Sequence, residues 1–540
     1  MFRYLSVFGA LVGILFLLAG CGSNSTSTTG ASPVISSVTP TSAPVGATVT
    51  INGRNFSAIL ADNTVSFNGT AAVVSSCTST QIVTTVPIGA TTGPISAAMG
   101  GVHATYAATF TVTVSPPTVT NFAPTSGQVG DTVTISGTNF STSPANNTVS
   151  FNGTAAVVSS CTSTQVVTTV PSGATNGPIT VTVGGDNATS TSSFTTVKLP
   201  LQFAYVTSFG ARKVSAYAIN ATTGILTEIT GSPFIPDTGS LSLTVGPTGK
   251  FVYVANFGST GVAGGSISAY VINASTGALS EINGSPFVTG TNPTSVIINP
   301  TGNFAYVANQ GSTYISAFSI NATTGALTEI NGSPFTAGSG PTSVAIDPTG
   351  NFACVAYALS NLISVYTINA VTGELAEISG SPFITETETH SVTFSPSGKF
   401  LYVTNTNNSV SAYSINITTG ILTEISGSPF ATYLFPTSVT IDGTGRFAYM
   451  TNFTSGNISA YSINAATGVL TEISGSPFSA GAGPKSLVID KTGKFAYVTN
   501  LNSNNISIYS INATTGMLTE ISGSPFADSN GPSSIVTVMK

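Results

Sequence analysis

The sequence predicts an all-β chain in which two immunoglobulin-like β-sandwiches precede a seven-bladed β-propeller, closed by pairing of the C-terminal strand with the first blade. The main observation is a repeat. Segments like residues 303–335, which are NFAYVANQGSTYISAFSINATTGALTEINGSPF, occur seven times between positions 203 and 526. Their period of about 48 residues is typical of a four-stranded propeller blade. Ahead of them, residues 66–87 recur at 150–171 with one change, Ile82 to Val166.

Composition limits the classes of partner. A chain of 540 residues implies several domains. Only 6% of its residues are charged, against roughly 25% in a typical soluble domain, so Ser, Thr, Asn and Gly must cover the surface. The formal charge is −6, and the 12 basic residues are scattered, with only Arg212 and Lys213 adjacent. Without a basic patch to neutralise phosphates, nucleic acid is not expected as a partner.

Residues 1–20 predict an export signal. Arg3 is followed by an apolar run over residues 5–18 and then by Leu18-Ala19-Gly20-Cys21, the order of a signal peptide with a small-residue cleavage site. This ending resembles the lipobox of bacterial lipoproteins, which implies lipidation of Cys21. Gly22 then implies anchoring to the cell envelope, at the outer membrane or cell surface. A plain secretory signal and an uncleaved helix are the alternatives. Residues 21–32 are expected to form a flexible tether.

Residues 33–114 and 117–197 predict two β-sandwiches, because short alternating strands such as 48–51 and 132–135 lie between Gly, Asn and Pro turns. Residues 46–56 and 130–140, with the Val-Pro pairs at 86–87 and 170–171, resemble the IPT/TIG family. The resemblance implies an extracellular spacer or interaction module. Cys77 and Cys161 are equivalent, one per sandwich, so neither has a partner within its own domain. Cys354 is expected to be a buried substitution for tyrosine.

Residues 200–540 predict the propeller. Within a blade, residues 341–347 are expected to form the inner strand, 304–309 the second, 315–321 the third and 327–330 the outer strand. The C-terminal residues 532–538 match an inner strand, and should therefore complete the first blade. One glutamate per blade lies on the outer strand. A functional ring is conceivable, but protection of an exposed sheet edge is the favoured interpretation. These glutamates are Glu228, Glu281, Glu329, Glu377, Glu424, Glu472 and Glu520.

Blade segments such as residues 300–309 and 491–500 resemble the lactonase-type seven-bladed propellers, the group that includes 6-phosphogluconolactonase and the YVTN-repeat surface proteins. The resemblance implies that active members place His, Arg and acidic side chains at the channel mouth, often in a Pro-Arg-His or Pro-His phrase at the head of an inner strand. Here that phrase is Pro-Thr-Ser at positions 293, 341 and 436, and Pro-Lys-Ser at 484. Most of the catalytic pattern is missing.

Four residues break the symmetry and are the candidate catalytic groups: Glu386, Glu388, His390 and Lys485. In an extended segment the first three would point the same way, and His390 aligns with Lys485 in another blade. His390 could act as a general base on water with help from a carboxylate, or the three could hold a metal. The favoured interpretation of the cluster is a solvated loop whose charges keep one rim of the propeller hydrated. The position of His390 is Leu, Thr, Lys or Ser in the other blades, and the residue after it is serine in all seven.

The favoured function is a lipid-anchored cell-envelope protein whose propeller is a non-catalytic recognition or scaffold head on two spacers. The alternative is a lactonase-like hydrolase acting at the channel mouth. No cofactor is expected. The expected partners are a membrane, through the lipid, and a carbohydrate or cell-surface protein. The sequence does not indicate the oligomeric state, the identity of the ligand, or whether a metal ion is bound.

Overall fold

The computed structural model describes residues 31–237, 239–258, 264–528 and 530–540. The predicted signal peptide and Cys21 lie outside the described residues. The chain divides into two compact units, residues 1–198 and 199–540, and each is described by itself. Among the described residues, no helix is long and apolar enough to cross a bilayer.

The first sandwich consists of two four-stranded sheets and one short parallel pair. In spatial order, the first sheet contains Val34–Thr39, Thr48–Arg54, Gln81–Thr85 and Val74–Cys77. The second contains Thr70–Ala72, Asn63–Phe67, Ile95–Met99 and Val102–Thr105. The parallel pair is Ser42–Pro44 with Thr111–Thr113, and a 3₁₀ turn spans Leu60–Asp62.

The second sandwich repeats this plan. One sheet contains Thr118–Ala123, Thr132–Thr138, Gln165–Thr169 and Val158–Cys161. The other contains Ser126–Gly127, Asp186–Thr196, Gly177–Val183, Asn147–Phe151 and Thr154–Ala156. A 3₁₀ turn spans Pro144–Asn146.

Alternating apolar residues fill both sandwich cores, as expected for sheets with one buried face. An edge-to-face aromatic pair with ring centroids 5.0 Å apart lies in each core: Phe67 with Phe110, and Phe151 with Phe194. Cys77 and Cys161 pack against their respective cores as half-buried free thiols.

The propeller contains seven antiparallel sheets, which we number as blades 1 to 7 by their second strands. The second strands are Gln202–Ser208, Phe251–Asn256, Phe304–Asn309, Phe352–Tyr357, Phe400–Asn405, Phe447–Asn452 and Phe495–Asn500. The inner strands of blades 2 to 7 are Ser240–Val245, Pro293–Ile298, Pro341–Ile346, Thr389–Phe394, Pro436–Ile441 and Pro484–Ile489. The third strands are Lys213–Ile219, Ser266–Ile272, Tyr314–Ile320, Leu362–Ile368, Ser409–Ile415, Asn457–Ile463 and Asn505–Ile511. The outer strands are Leu226–Glu228, Leu279–Glu281, Leu327–Glu329, Leu375–Glu377, Leu422–Glu424, Leu470–Glu472 and Leu518–Glu520.

Blades 2 to 7 each contain one further strand that the repeat pattern did not predict. This two-residue strand follows the Ser-Pro pair and pairs with the outer side of the third strand. Two residues are too few to show a period of two, so the alternation of apolar residues does not indicate them. They are Phe287–Val288, Phe335–Thr336, Phe383–Ile384, Phe430–Ala431, Phe478–Ser479 and Phe526–Ala527.

Blade 1 takes its inner strand from the C-terminus. Pro532–Met539 pairs antiparallel with Gln202–Ser208, so that Tyr205 lies opposite Val536. The Lys540 amide also donates a 2.8 Å hydrogen bond to the carbonyl of Leu201. This pairing agrees with the closure that the sequence predicts, and it leaves neither strand with an open edge on that side.

Tyrosine hydroxyls link neighbouring blades. In six blades, the buried tyrosine two residues after the second-strand phenylalanine donates to the carbonyl of a turn glycine in the next blade, at 2.7–2.9 Å. The link from Tyr497 to Gly224 runs from blade 7 back to blade 1. Blade 4 differs because Cys354, which is fully buried, stands at the tyrosine position. We call these contacts the tyrosine latch: Tyr205–Gly277, Tyr253–Gly325, Tyr306–Gly373, Tyr402–Gly468, Tyr449–Gly516 and Tyr497–Gly224.

The outer-strand glutamates hold a loop in place. In every blade the serine of the Ser-Pro pair donates to the glutamate carboxylate at 2.7–3.0 Å. The same serine oxygen accepts a backbone N–H from the third strand at 2.9–3.1 Å. The sevenfold carboxylate ring therefore has a structural role at the outer edge of each blade.

Candidate functional site

The candidate site is a cavity of about 240 Å³ where the inner strands of all seven blades begin. We call it the mouth cavity. Hydroxyl groups dominate its lining, and His390 and Lys485 are the two ionisable residues among the described residues that line it. The lining consists of Leu241, Ser242, Thr294, Ser295, Gln310, Thr342, Ser343, His390, Ser391, Thr437, Ser438, Lys485, Ser486, Ser533 and Ser534.

A β-bulge in every blade explains why two consecutive residues face the cavity. In blade 3, Pro293 pairs with Asn309 and Ser295 pairs with Ala308, so Thr294 is the extra residue. The same shift occurs in the other six blades. A bulge breaks the strict alternation of a strand and redirects one side chain. His390 and Lys485 are the bulge residues of blades 5 and 7.

Hydroxyls of the cavity wall join neighbouring inner strands. Thr294 Oγ1 donates to the carbonyl of Thr342 at 3.0 Å, and Thr437 Oγ1 donates to that of Lys485 at 3.1 Å. The serine oxygens accept as well, since the Val392 amide donates to Ser343 Oγ at 3.3 Å. The hydroxyl ring therefore has a structural role in addition to lining the cavity.

His390 is half-buried in the cavity wall. Burial, and after it the positive charge of Lys485, lower the pKa of the imidazole to about 4. At neutral pH the ring is therefore uncharged. Its other neighbour is Phe435, whose ring lies edge-on with a centroid distance of 4.9 Å.

Lys485 brings a cation to the same wall. Its side chain is half-buried, and burial lowers the pKa of the ammonium group. Its backbone carbonyl is fixed by the hydroxyls of Thr437 and Thr451. No Asp or Glu occurs among the described residues that line the cavity.

The two carboxylates of the predicted cluster do not join this site. Glu386 and Glu388 are exposed and do not line the mouth cavity. Residues 386–387 form a bend, so the extended conformation that would have aligned them with His390 is absent there. Glu386 instead accepts a 3.4 Å hydrogen bond from Asn407. Within the described parts of the chain, no group of three or more His, Cys, Asp or Glu could hold a metal ion.

The sequence did not predict that Phe435 lies against His390, with Phe453 packed behind it. Phe435 has φ of +60°, a conformation that bulky residues rarely adopt. Its amide donates to Asn408 Oδ1 at 2.9 Å, and its carbonyl accepts from the Phe453 amide at 2.9 Å. The two phenyl rings lie 6.3 Å apart. The sequence does contain a signal for this contact. Residues 433–435, immediately before the inner strand of blade 6, are Tyr-Leu-Phe, whereas most other blades have small residues in that segment.

Comparisons with known proteins agree with this geometry. The lactonase family, described as a 7-bladed beta-propeller, matches residues 194–336, 331–481 and 445–536. The IPT/TIG domain matches residues 33–113 and 117–197. No curated protein matches the chain.

Solved structures show the same fold. The periplasmic gluconolactonase of Pseudomonas aeruginosa superposes with a TM-score of 0.54 at 18% identity, over 63% of this chain and 99% of that one. A Bacteroides fragilis protein assigned as a 6-phosphogluconolactonase superposes with a TM-score of 0.54 at 21% identity, over 63% and 98%. Such identities support the fold alone. The family match covers most of the chain, which therefore belongs to the lactonase family of seven-bladed β-propellers and has two IPT/TIG domains ahead of the propeller.

Proposed function

We propose that this protein is a lipid-anchored component of the cell envelope whose propeller is a non-catalytic recognition head. Cys21 carries the lipid, and the two immunoglobulin-like domains act as spacers between membrane and head. The mouth cavity is the recognition site, and its ligand is a carbohydrate or a group on a cell-surface protein. The protein therefore acts at the outer membrane or the cell surface.

The chemistry of the mouth cavity carries this proposal. Of the fifteen lining residues in the described part of the chain, eleven are Ser or Thr, which donate and accept hydrogen bonds but supply no base at neutral pH. A general base works best with a pKa near the working pH. The pKa of His390, about 4, makes the imidazole a poor proton acceptor for activating water. Such a lining suits binding of a polar ligand better than hydrolysis.

A ligand array tests the recognition role. The soluble chain from Ser32 onward is screened against glycans, sugar acids and lactones. His390→Thr and Lys485→Thr are the informative variants, because three other blades have threonine at this position. Lys494→Thr is the matched control, since it removes a lysine from the same blade at an exposed position outside the cavity.

We expect a ligand that binds the wild type and the control but loses affinity for both cavity variants. Binding that is equal in all four proteins would place recognition elsewhere. An array without any bound ligand would contradict the recognition role of the mouth cavity.

A lactonase-like hydrolase is the second candidate, and the family match is the observation that favours it. In this alternative, neutral His390 accepts a proton from water as the water oxygen attacks the lactone carbonyl carbon, and Lys485 stabilises the negative charge that develops on the carbonyl oxygen. The imidazolium then gives the proton to the ring oxygen as the bond between that oxygen and the carbonyl carbon breaks, which leaves the open-chain hydroxy acid. Turnover of a lactone distinguishes it from the recognition role.

A further inference from the structure

We propose that the propeller binds an anionic lipid membrane directly, through the face opposite the mouth cavity. We call it the base face. It consists of the loops between inner and second strands and the turns between third and outer strands, together with Lys540 and residues 199–201. This contact goes beyond the proposed function, because it does not require a lipid on Cys21. The loops are residues 246–250, 299–303, 347–351, 395–399, 442–446 and 490–494, and the turns are residues 220–225, 273–278, 321–326, 369–374, 416–421, 464–469 and 512–517.

The base face is level. Each of its six loops has five residues, and each of its seven turns has six. The antiparallel pairing of the strands puts loops and turns at the same end of every blade. Neighbouring blades therefore end at the same height, and a surface of this kind can lie against a membrane over several blades at once.

Positive charge is concentrated on the base face. Six of the nine Lys and Arg of residues 199–540 lie there, but only four of the fifteen Asp and Glu. Three of these four, Asp347, Asp442 and Asp490, are buried and accept hydrogen bonds from the first amide of the following strand at 2.7–2.9 Å. The fourth, Glu374, is exposed on blade 4. The cations are Lys250, Lys399, Arg446, Lys491, Lys494 and Lys540.

The fold does not require these cations. Lys250 and Lys399 follow the glycine of their loops, and the same position is asparagine in blades 3 and 4. Lys250 Nζ donates to the carbonyl of Thr323 at 2.7 Å, a neutral acceptor that leaves the charge unbalanced. Within the described residues, none of the six cations forms an ion pair. An anionic partner therefore accounts for this charge better than folding does.

Exposed aliphatic side chains on the same face favour a membrane over a soluble polyanion. Ile417 is 69% exposed at a turn position where the other six blades have alanine, and Val371 is 86% exposed in the turn of blade 4. Ile225 and Ile421 are exposed as well. In an anionic bilayer such groups can enter the boundary between headgroups and acyl chains while the lysines stay at the headgroups. A soluble polyanion offers them no apolar phase.

Vesicle sedimentation tests this contact with the soluble chain from Ser32 onward, which contains both sandwiches and the propeller but not Cys21. One set of vesicles contains phosphatidylglycerol and phosphatidylcholine in equal parts, and the other contains phosphatidylcholine alone. We expect binding to the anionic vesicles at low salt, weaker binding at high salt, and no binding to phosphatidylcholine.

Two double variants remove equal charge from opposite ends of the propeller. Lys250→Asn with Lys399→Asn installs the residue of blades 3 and 4 on the base face. Arg212→Asn with Lys213→Asn, at the mouth end of blade 1, installs the Asn-Asn pair that blade 7 has there. The first should weaken binding to anionic vesicles about 25-fold, about fivefold for each cation. The second should bind as the wild type does, and equal melting temperatures should show that both variants are folded.

A matched pair of single variants tests the apolar contribution. Ile417→Ala installs the residue of the other blades and should weaken binding about fourfold for each methylene-sized group that enters the lipid. Ile384→Ala is the control, because Ile384 is 72% exposed at the mouth end and blade 5 has alanine at this position. The control should keep the affinity of the wild type.

Equal binding to both kinds of vesicle, no binding to either, or an equal loss in the two double variants would overturn the proposal. Ile417→Ala with the affinity of the wild type would also overturn it, as would binding to the acidic polysaccharide alginate without binding to vesicles. High salt removes this contact but does not remove a lipid anchor, so the two are separable. A failure here leaves recognition at the mouth cavity untouched.

Discussion

Protonation of His390 should destabilise the propeller, and the sign follows from its burial. The imidazole has a pKa of about 4 in the folded chain, against about 6.5 in an unfolded one. Between these values the unfolded chain binds more protons. The contribution of His390 to stability is therefore fully present above about pH 6.5 and is lost as the pH falls towards 4.

The magnitude follows from the size of the shift. One pKa unit corresponds to about 1.4 kcal/mol, so the difference between 6.5 and about 4 is equivalent to about 3 kcal/mol of unfolding free energy. His390→Thr removes the group and installs the residue of blades 3, 4 and 6. Between pH 7 and pH values below the pKa of about 4, the unfolding free energy of the variant should therefore fall by about 3 kcal/mol less than that of the wild type.

Urea unfolding followed by tyrosine fluorescence measures this difference. Tryptophan is absent, and Tyr106 is the only tyrosine of residues 32–198, so the signal reports on the propeller. His103→Thr in the first sandwich is the control and should keep the pH dependence of the wild type. An unchanged pH dependence in His390→Thr would refute the burial and the lowered pKa of His390.

Three further predictions concern the latch, the closure and the anchor. Tyr402→Phe leaves the buried carbonyl of Gly468 without its donor and should lower the unfolding free energy by about 1–3 kcal/mol. The control is Tyr433→Phe, at an exposed tyrosine. An equal loss of unfolding free energy in the control would contradict the latch. Deleting residues 531–540 removes the strand that pairs with Gln202–Ser208. The deleted strand includes the buried side chains of Ile535 and Val538, each of which contributes about 1.5–3 kcal/mol, so the melting temperature should fall markedly. An unchanged melting temperature would exclude closure by this strand. Cys21→Ser should release the protein from washed membranes whereas Cys161→Ser should not, and retention of the first variant would exclude lipid anchoring.

The sequence predicted the framework because the repeats carry it. The seven copies of one sequence repeat predicted the number of blades. The strand boundaries were predicted closely: the third strand of blade 3 begins one residue earlier than expected, at Tyr314. The extra two-residue strands escaped prediction because they are shorter than any apolar period. The bulges escaped as well, since alternation predicts that neighbouring residues face opposite sides, whereas His390 and Ser391 both face the cavity.

The site was predicted in part. His390 and Lys485 stood out because they interrupt a sevenfold pattern, and the bulges place both in the mouth cavity. Glu386 and Glu388 were misplaced because the prediction assumed an extended segment where the chain bends. Phe435 was missed because its contact with His390 depends on a positive φ in a loop of the next blade. Sequence spacing carries no information about such a loop.

Hydrolysis of lactones tests the central claim, a non-catalytic recognition head, most directly. The assay uses 6-phosphogluconolactone and simple lactones with the purified soluble chain and with His390→Ala. We expect both proteins to match the rate in buffer. Turnover well above buffer in the wild type, reduced by the roughly 10²–10⁴-fold that loss of a general base costs in His390→Ala, would contradict the account and establish the hydrolase.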